Sequence, residues 1–90
     1  MQAHMTIHGR VQGVGFRKSA KNHAQKQNLT GWVQNKQDGT VELKVEGAKD
    51  SINSYISMLK DGFNPYIKVE KVEMNQSGNE EGFDDFTIKR

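Results

Sequence analysis

Hydrophobic and polar positions alternate from Ala3 to Val11, with Ala3, Met5, Ile7 and Val11 on one side and His4, Thr6, His8 and Arg10 on the other. A period of two over this length predicts a half-buried strand. A glycine-rich turn follows. From Phe16 to about Gln27 the chain carries neither Gly nor Pro, and Phe16, Ala20, His23, Ala24 and Gln27 recur at helical spacing. This predicts a first helix on a thin apolar stripe, with Asn28 as its left-handed cap and Leu29 folding back behind it. Thr30 to Gln37 reads as a second strand, and Asp38-Gly39 offers the residues of a tight hairpin turn. Val41, Leu43 and Val45 then alternate against Thr40, Glu42, Lys44 and Glu46 in a third strand that ends at Gly47. Ile52, Tyr55, Ile56 and Leu59 fall at i, i+3, i+4 and i+7, the clearest helical stripe in the chain, closed by Gly62. Ile67, Val69, Val72 and Met74 predict a fourth strand whose buried side changes partway. Gln76 to Gly82 is polar and acidic and reads as a solvated loop. Phe86 and Ile88 mark a short closing strand.

The order strand, helix, strand, strand, helix, strand fits two interleaved split βαβ units. The expected fold is therefore α+β: a ferredoxin-like βαββαβ sandwich, an antiparallel sheet with two helices on one face, plus a short C-terminal strand. In this topology the first strand neighbours the third and the third pairs with the second. The first and second strands then run parallel and end at the same edge of the sheet. Arg17 follows the first of those ends and Asn35 lies near the second. Two strand spacings separate them, about 10 Å, which an arginine and a small ligand can bridge.

Composition narrows the function classes. Ninety residues make one expected domain, residues 1–90, and a hydrophobic content of 33% leaves a lean core. A net charge of +2 is too mild to indicate a nucleic-acid partner. The absence of cysteine excludes a disulfide scaffold, a thiol nucleophile and a thiolate metal site. No run approaches the ~20 apolar residues of a membrane span, and residues 1–10 lack the apolar core of a signal peptide. The expectation is a cytoplasmic monomer with no membrane partner. RNA-recognition modules share the topology but stack bases on aromatics of the outward sheet face. Here that face offers His4, Thr6, His8, Thr40, Glu42, Lys44 and Glu46, with no stacking aromatic and two carboxylates, so no nucleic acid is expected. His4 and His8 stand four strand residues apart, about 13 Å, too far to chelate one ion. His23 is alone on a helix. Glu80-Glu81 and Asp84-Asp85 read as solvated charge, so neither metal nor cofactor is expected.

Gly9-Arg10-Val11-Gln12-Gly13-Val14-Gly15-Phe16-Arg17 carries the chemistry. Glycines let successive N–H groups point into one concavity, a following helix N-terminus adds unpaired donors, and a guanidinium supplies a forked positive clamp. Such a cradle suits phosphate. A dinucleotide fingerprint would need glycine where Lys18 stands, and a Walker loop would need Gly-Lys-Ser/Thr five residues after its first glycine; neither is present.

This stretch resembles the phosphate-binding loop of the acylphosphatases. Gly31-Trp32-Val33-Gln34-Asn35, followed by Gly39, Val41 and Gly47, is similar to that family's other signature in residue type and spacing. The resemblance implies hydrolysis of acyl phosphates to a carboxylate and inorganic phosphate, without metal. It implies a phosphate site at Gln12, Gly13, Val14, Gly15, Phe16 and Arg17, with Arg17 binding phosphate and Asn35 positioning the attacking water. A carboxylate leaving group, with an acid pKa of about 4, needs no proton to depart, so positioning and electrostatics are the protein's main work. The alternative is a non-catalytic module that binds phosphate or carbamoyl phosphate, as in larger enzymes that contain such domains. A free-standing chain of this length favours the simple hydrolase. Gly31 is expected to allow a close backbone approach, and Trp32 to serve packing. Three positions depart from the family's pattern: Lys18 where an aromatic is common, Gln27 where an apolar residue is usual, and Asn64-Pro65 for Gly-Pro. None is expected to touch the cradle.

Overall fold

A computed structural model describes residues Met1–Arg90. Strand β1 (Gln2–Arg10) leads through the glycine turn into helix α1 (Phe16–Lys26). The hairpin β2 (Thr30–Asn35) and β3 (Val41–Glu46) is followed by α2 (Lys49–Lys60), β4 (Lys68–Ser77) and β5 (Phe86–Lys89). The sheet order is β4-β1-β3-β2-β5. All pairs are antiparallel except β2 with β5, which run parallel. This is the ferredoxin-like arrangement expected, with the closing strand added beside β2.

Alternation puts Ala3, Met5 and Ile7 of β1, Val33 of β2, and Val41, Leu43 and Val45 of β3 on one face, all buried. The helices cover that face with Phe16, Ala20 and Ala24 from α1 and Ile52, Tyr55, Ile56 and Leu59 from α2. The thin stripe of α1 has a physical use. Its two alanines let α2 approach until the Tyr55 hydroxyl donates to the Ala20 carbonyl at 2.9 Å. Phe63 fills the space beside them, tilted against Phe16 and Tyr55 and stacked on His23 with centroids 4.7 Å apart. Gln27 reaches the Met58 sulfur. α1 then ends as predicted: Asn28 has φ 58°, and the Asn28 and Leu29 N–H groups donate to the Gln25 and Ala24 carbonyls, a Schellman motif.

Two expectations change, and a third finds its cause. β2 stops at Asn35, which pairs with Val41, so the turn spans residues 36–40 instead of the two residues Asp38-Gly39. Asp38 stabilises the longer loop by accepting from the Thr40 N–H and hydroxyl. The side change in β4 is a bulge at Glu70: His8 pairs with Lys71 and Gly9 with Val69, so Val69 and Val72 both face the core. Gln76 and Ser77, expected in a loop, extend β4 alongside Ala3 and Gln2.

The segment after β4 is exposed, as expected, but it is also tied down. It crosses the outer face as a strap, where the Glu81, Gly82 and Phe83 N–H groups donate to the Glu46 carboxylate. Glu81 pairs with Lys44 and Glu80 with the Met1 ammonium. That outer face does hold an aromatic. Trp32 is directly opposite Lys44 in the sheet, but only 8% of it is exposed, because Lys89 lies over its ring at 4.1 Å and His4 meets its edge. Packing is its observed role. His4 and His8 each pair with a carboxylate on a neighbouring strand, Glu42 and Glu73, at 2.6 Å. No helix is long and apolar enough to cross a membrane.

Candidate active site

The C-terminal ends of β1 and β2 meet at a cavity of about 260 Å³. Its walls are Val11, Gly13, Gly15, Phe16, Arg17 and Lys18 from the turn and first helical residues, Asn35 from β2, and Ile88 and Arg90 from the end of the chain. Arg17 and Asn35, placed apart in sequence, are brought to one space as the topology requires.

The turn between β1 and α1 leaves its donors free. Gly15 occupies the N-cap of α1 with φ 78° and no side-chain cap, and the first turn of the helix carries no acidic residue. Gly13 has φ 73°. Left-handed conformations at both positions cost little only because they are glycines. The Ser19 N–H closes the first helical turn on the Gly15 carbonyl, and no N–H from Gln12 to Lys18 finds an acceptor within the protein. Seven donors thus face solvent or the cavity beside a helix N-terminus. Arg17 is half-buried and takes part in no ion pair.

Two side chains brace this turn from behind. Gln12 donates to the Lys36 and Thr40 carbonyls at 2.7 and 2.8 Å, tying the turn to the loop that follows Asn35. Asn64 donates to the Val14 carbonyl at 3.1 Å. Neither Gln12 nor Val14 lines the cavity; Gly13, Gly15, Phe16 and Arg17 do. The expectation that the unusual positions avoid the cradle is therefore corrected. Asn64 touches it directly, and Lys18 forms part of the cavity wall. Only Gln27 stays clear. Lys18, Ile88, Arg90 and Asn64 were not named among the site residues. The last three reach it through tertiary contacts that a local pattern does not reveal.

Asn35 presents an unsatisfied group. Its Oδ1 is buried and is the side-chain polar atom that finds no hydrogen-bond partner in the protein. Such an orphan is expensive in a packed interior, and it belongs to a residue that lines the cavity.

The Acylphosphatase family model matches residues 3–88. The chain belongs to the acylphosphatase family. An acylphosphatase of Bacillus licheniformis is 40% identical over 88 residues, covering 98% of this chain and 97% of the relative. The crystal structure of the Bacillus subtilis acylphosphatase superposes with a TM-score of 0.94 at 38% identity, covering 99% of this chain and 98% of that one. Full-length HypF, in a phosphate- and nucleotide-bound form, is similar over 99% of this chain but only 12% of its own, with a TM-score of 0.85 and 34% identity. Family membership makes this an enzyme of the acylphosphatase type, acting on a small-molecule acyl phosphate.

Proposed function

We propose that the cavity hydrolyses acyl phosphates by direct attack of water on phosphorus, with the Arg17 guanidinium and the N–H groups of Gly13, Gly15, Phe16 and Arg17 holding the phosphoryl oxygens. The observation that carries this reading is that Asn35, whose Oδ1 lacks a partner, lines the same cavity as an unpaired guanidinium and a run of unpaired N–H donors. A water donating one hydrogen to Oδ1 has a lone pair left to aim at phosphorus. The new P–O bond forms as the bond from phosphorus to the acyl oxygen breaks. The acyl group leaves as a carboxylate with that electron pair, and a phosphoryl oxygen takes the proton of the attacking water. No side-chain base is required. Charge spreads over the peripheral oxygens in the loose transition state, where fixed donors act without reorganising.

The test is hydrolysis of benzoyl phosphate, without added metal, by the wild type and by Arg17→Ala. Turnover in the wild type should fall by about a thousandfold or more in the variant, with competition by inorganic phosphate lost as well. A chelator should leave the wild type unchanged. Normal phosphate competition in Arg17→Ala would move the cradle elsewhere. Chelator inactivation reversed by a divalent ion would refute the metal-free mechanism. Phosphate binding without turnover would favour the accessory-module reading that the likeness to HypF supports.

A further inference from the structure

We infer that Asn64 is a positioning residue for the phosphate loop: it aims the Gly15 N–H into the cavity. The inference rests on the reading of this loop as a phosphate cradle. Asn64 lies in the connection from α2 to β4, far from the loop in sequence. Its Nδ2 donates to the Val14 carbonyl at 3.1 Å and to Ser19 Oγ at 3.3 Å, while its Oδ1 accepts from the Tyr66 N–H at 2.8 Å. The partners leave no choice of amide orientation, because a carbonyl needs the NH₂ end and an N–H needs the oxygen end. The residue is itself held on both sides. Phe63 sits among Phe16, His23 and Tyr55, and Pro65 restricts the backbone that follows.

The consequence comes from peptide geometry. No peptide bond in the chain is cis, so the Val14 carbonyl and the Gly15 N–H point in opposite directions along one plane. Holding the carbonyl back against Asn64 sends the N–H the other way. Gly13 and Gly15 line the cavity and Val14 does not, which agrees with that direction. Without the tether this plane would be easily reversed, because glycine accepts both signs of φ at little cost. One donor of the cradle would then point away from phosphate for part of the time. Asn64 removes that freedom without touching the ligand.

The experiment follows backbone amides by NMR while ¹⁵N-labelled protein is titrated with inorganic phosphate, with thermal unfolding measured in parallel. In the wild type the Gly15 amide proton should move downfield and saturate with the Phe16 and Arg17 signals. In Asn64→Ala the Gly15 response should be weakened, those of Phe16 and Arg17 kept, and the phosphate Kd raised about five- to twentyfold, the worth of one misaligned hydrogen bond to an anion. Ser19→Ala removes the other acceptor of the same NH₂ group and should leave the Kd within about twofold. Asn64→Leu, close in shape, replaces the alanine variant if that does not fold. A Gly15 amide unmoved at saturation in the wild type would overturn the inference. So would an Asn64 variant with lowered Tm but unchanged phosphate affinity. Turnover is not the readout: a wild type that binds phosphate through Gly15 yet leaves benzoyl phosphate intact refutes the hydrolase reading alone.

Discussion

Arg17 and Asn35 divide the work by the kind of group each presents. In the proposed mechanism the guanidinium is a fixed charge that attracts phosphate before and during reaction, whereas the Asn35 amide has a single unpaired acceptor and nothing to hold a phosphate by charge. Asn35→Ala should therefore lower kcat by about a hundredfold or more while the Kd for inorganic phosphate stays within about threefold. Steady-state kinetics beside phosphate titration by calorimetry separates the two quantities, and a fully active variant would end the water-positioning role. That both residues come to one cavity was legible in the sequence, because the topology carries the ends of β1 and β2 to the same edge of the sheet. The bracing contacts were not. Gln12 is named there as a phosphate ligand through its backbone, yet its side chain spans to the Lys36 and Thr40 carbonyls, a partnership visible only once two strands lie side by side.

Among the elements, β2 has the least tolerance. A Cβ on Gly31 would lie 1.9 Å from the Lys44 carbonyl oxygen, and φ there is +140°. The neighbour is backbone in the middle of the sheet, so it cannot swing aside. Gly31→Ala should destabilise the protein by about 3 kcal/mol or more, read as a shift of the urea midpoint. A variant as stable as the wild type would mean that β3 moves freely, contrary to its pairing on both sides. The close approach was expected from the sequence, but the length of the following turn was not. Asp-Gly is a strong local signal for two residues, whereas here Asn35 and Val41 close the ladder and Gln12 occupies two carbonyls of the wider loop. Tertiary bonding outweighed turn propensity. The bulge at Glu70 was foreseen only as a change of face, because spacing between Val69 and Val72 shows the slip but not the partner strand that absorbs it.

At the scale of the whole molecule, the strap from β4 to β5 closes over a carboxylate that is only 2% exposed. Burial pushes the Glu46 carboxyl up, but donors from the Glu81 N–H, the Gln2 amide and the Gly82 and Phe83 N–H groups outweigh it and hold it below its ordinary value. A depressed native pKa contributes stability that is full above the unfolded value, near 4.3, and disappears as pH falls through the native one. Glu46→Gln should thus be less stable than the wild type at pH 7, with the gap narrowing in the acid range below about pH 4. Urea unfolding at both pH values checks this, and a gap that widens in acid would reverse the assignment. The acidic residues of the strap are exposed, as the sequence suggests, but nothing local shows that Glu46 waits beneath them. The same long return path has a kinetic consequence. β1 pairs with β3 and β4, and Gln2 reaches Ser77 before the chain crosses back to β5. Such distant pairings require loop closure before contacts reward it, which places refolding in the range of milliseconds to seconds. The cavity draws on the β1 turn, β2 and the end of β5 together, so no half-formed sheet assembles it. Benzoyl phosphate turnover and the Trp32 fluorescence of the native state should recover with one shared rate constant after dilution from denaturant, and turnover that returned first would show that the closing strand is dispensable.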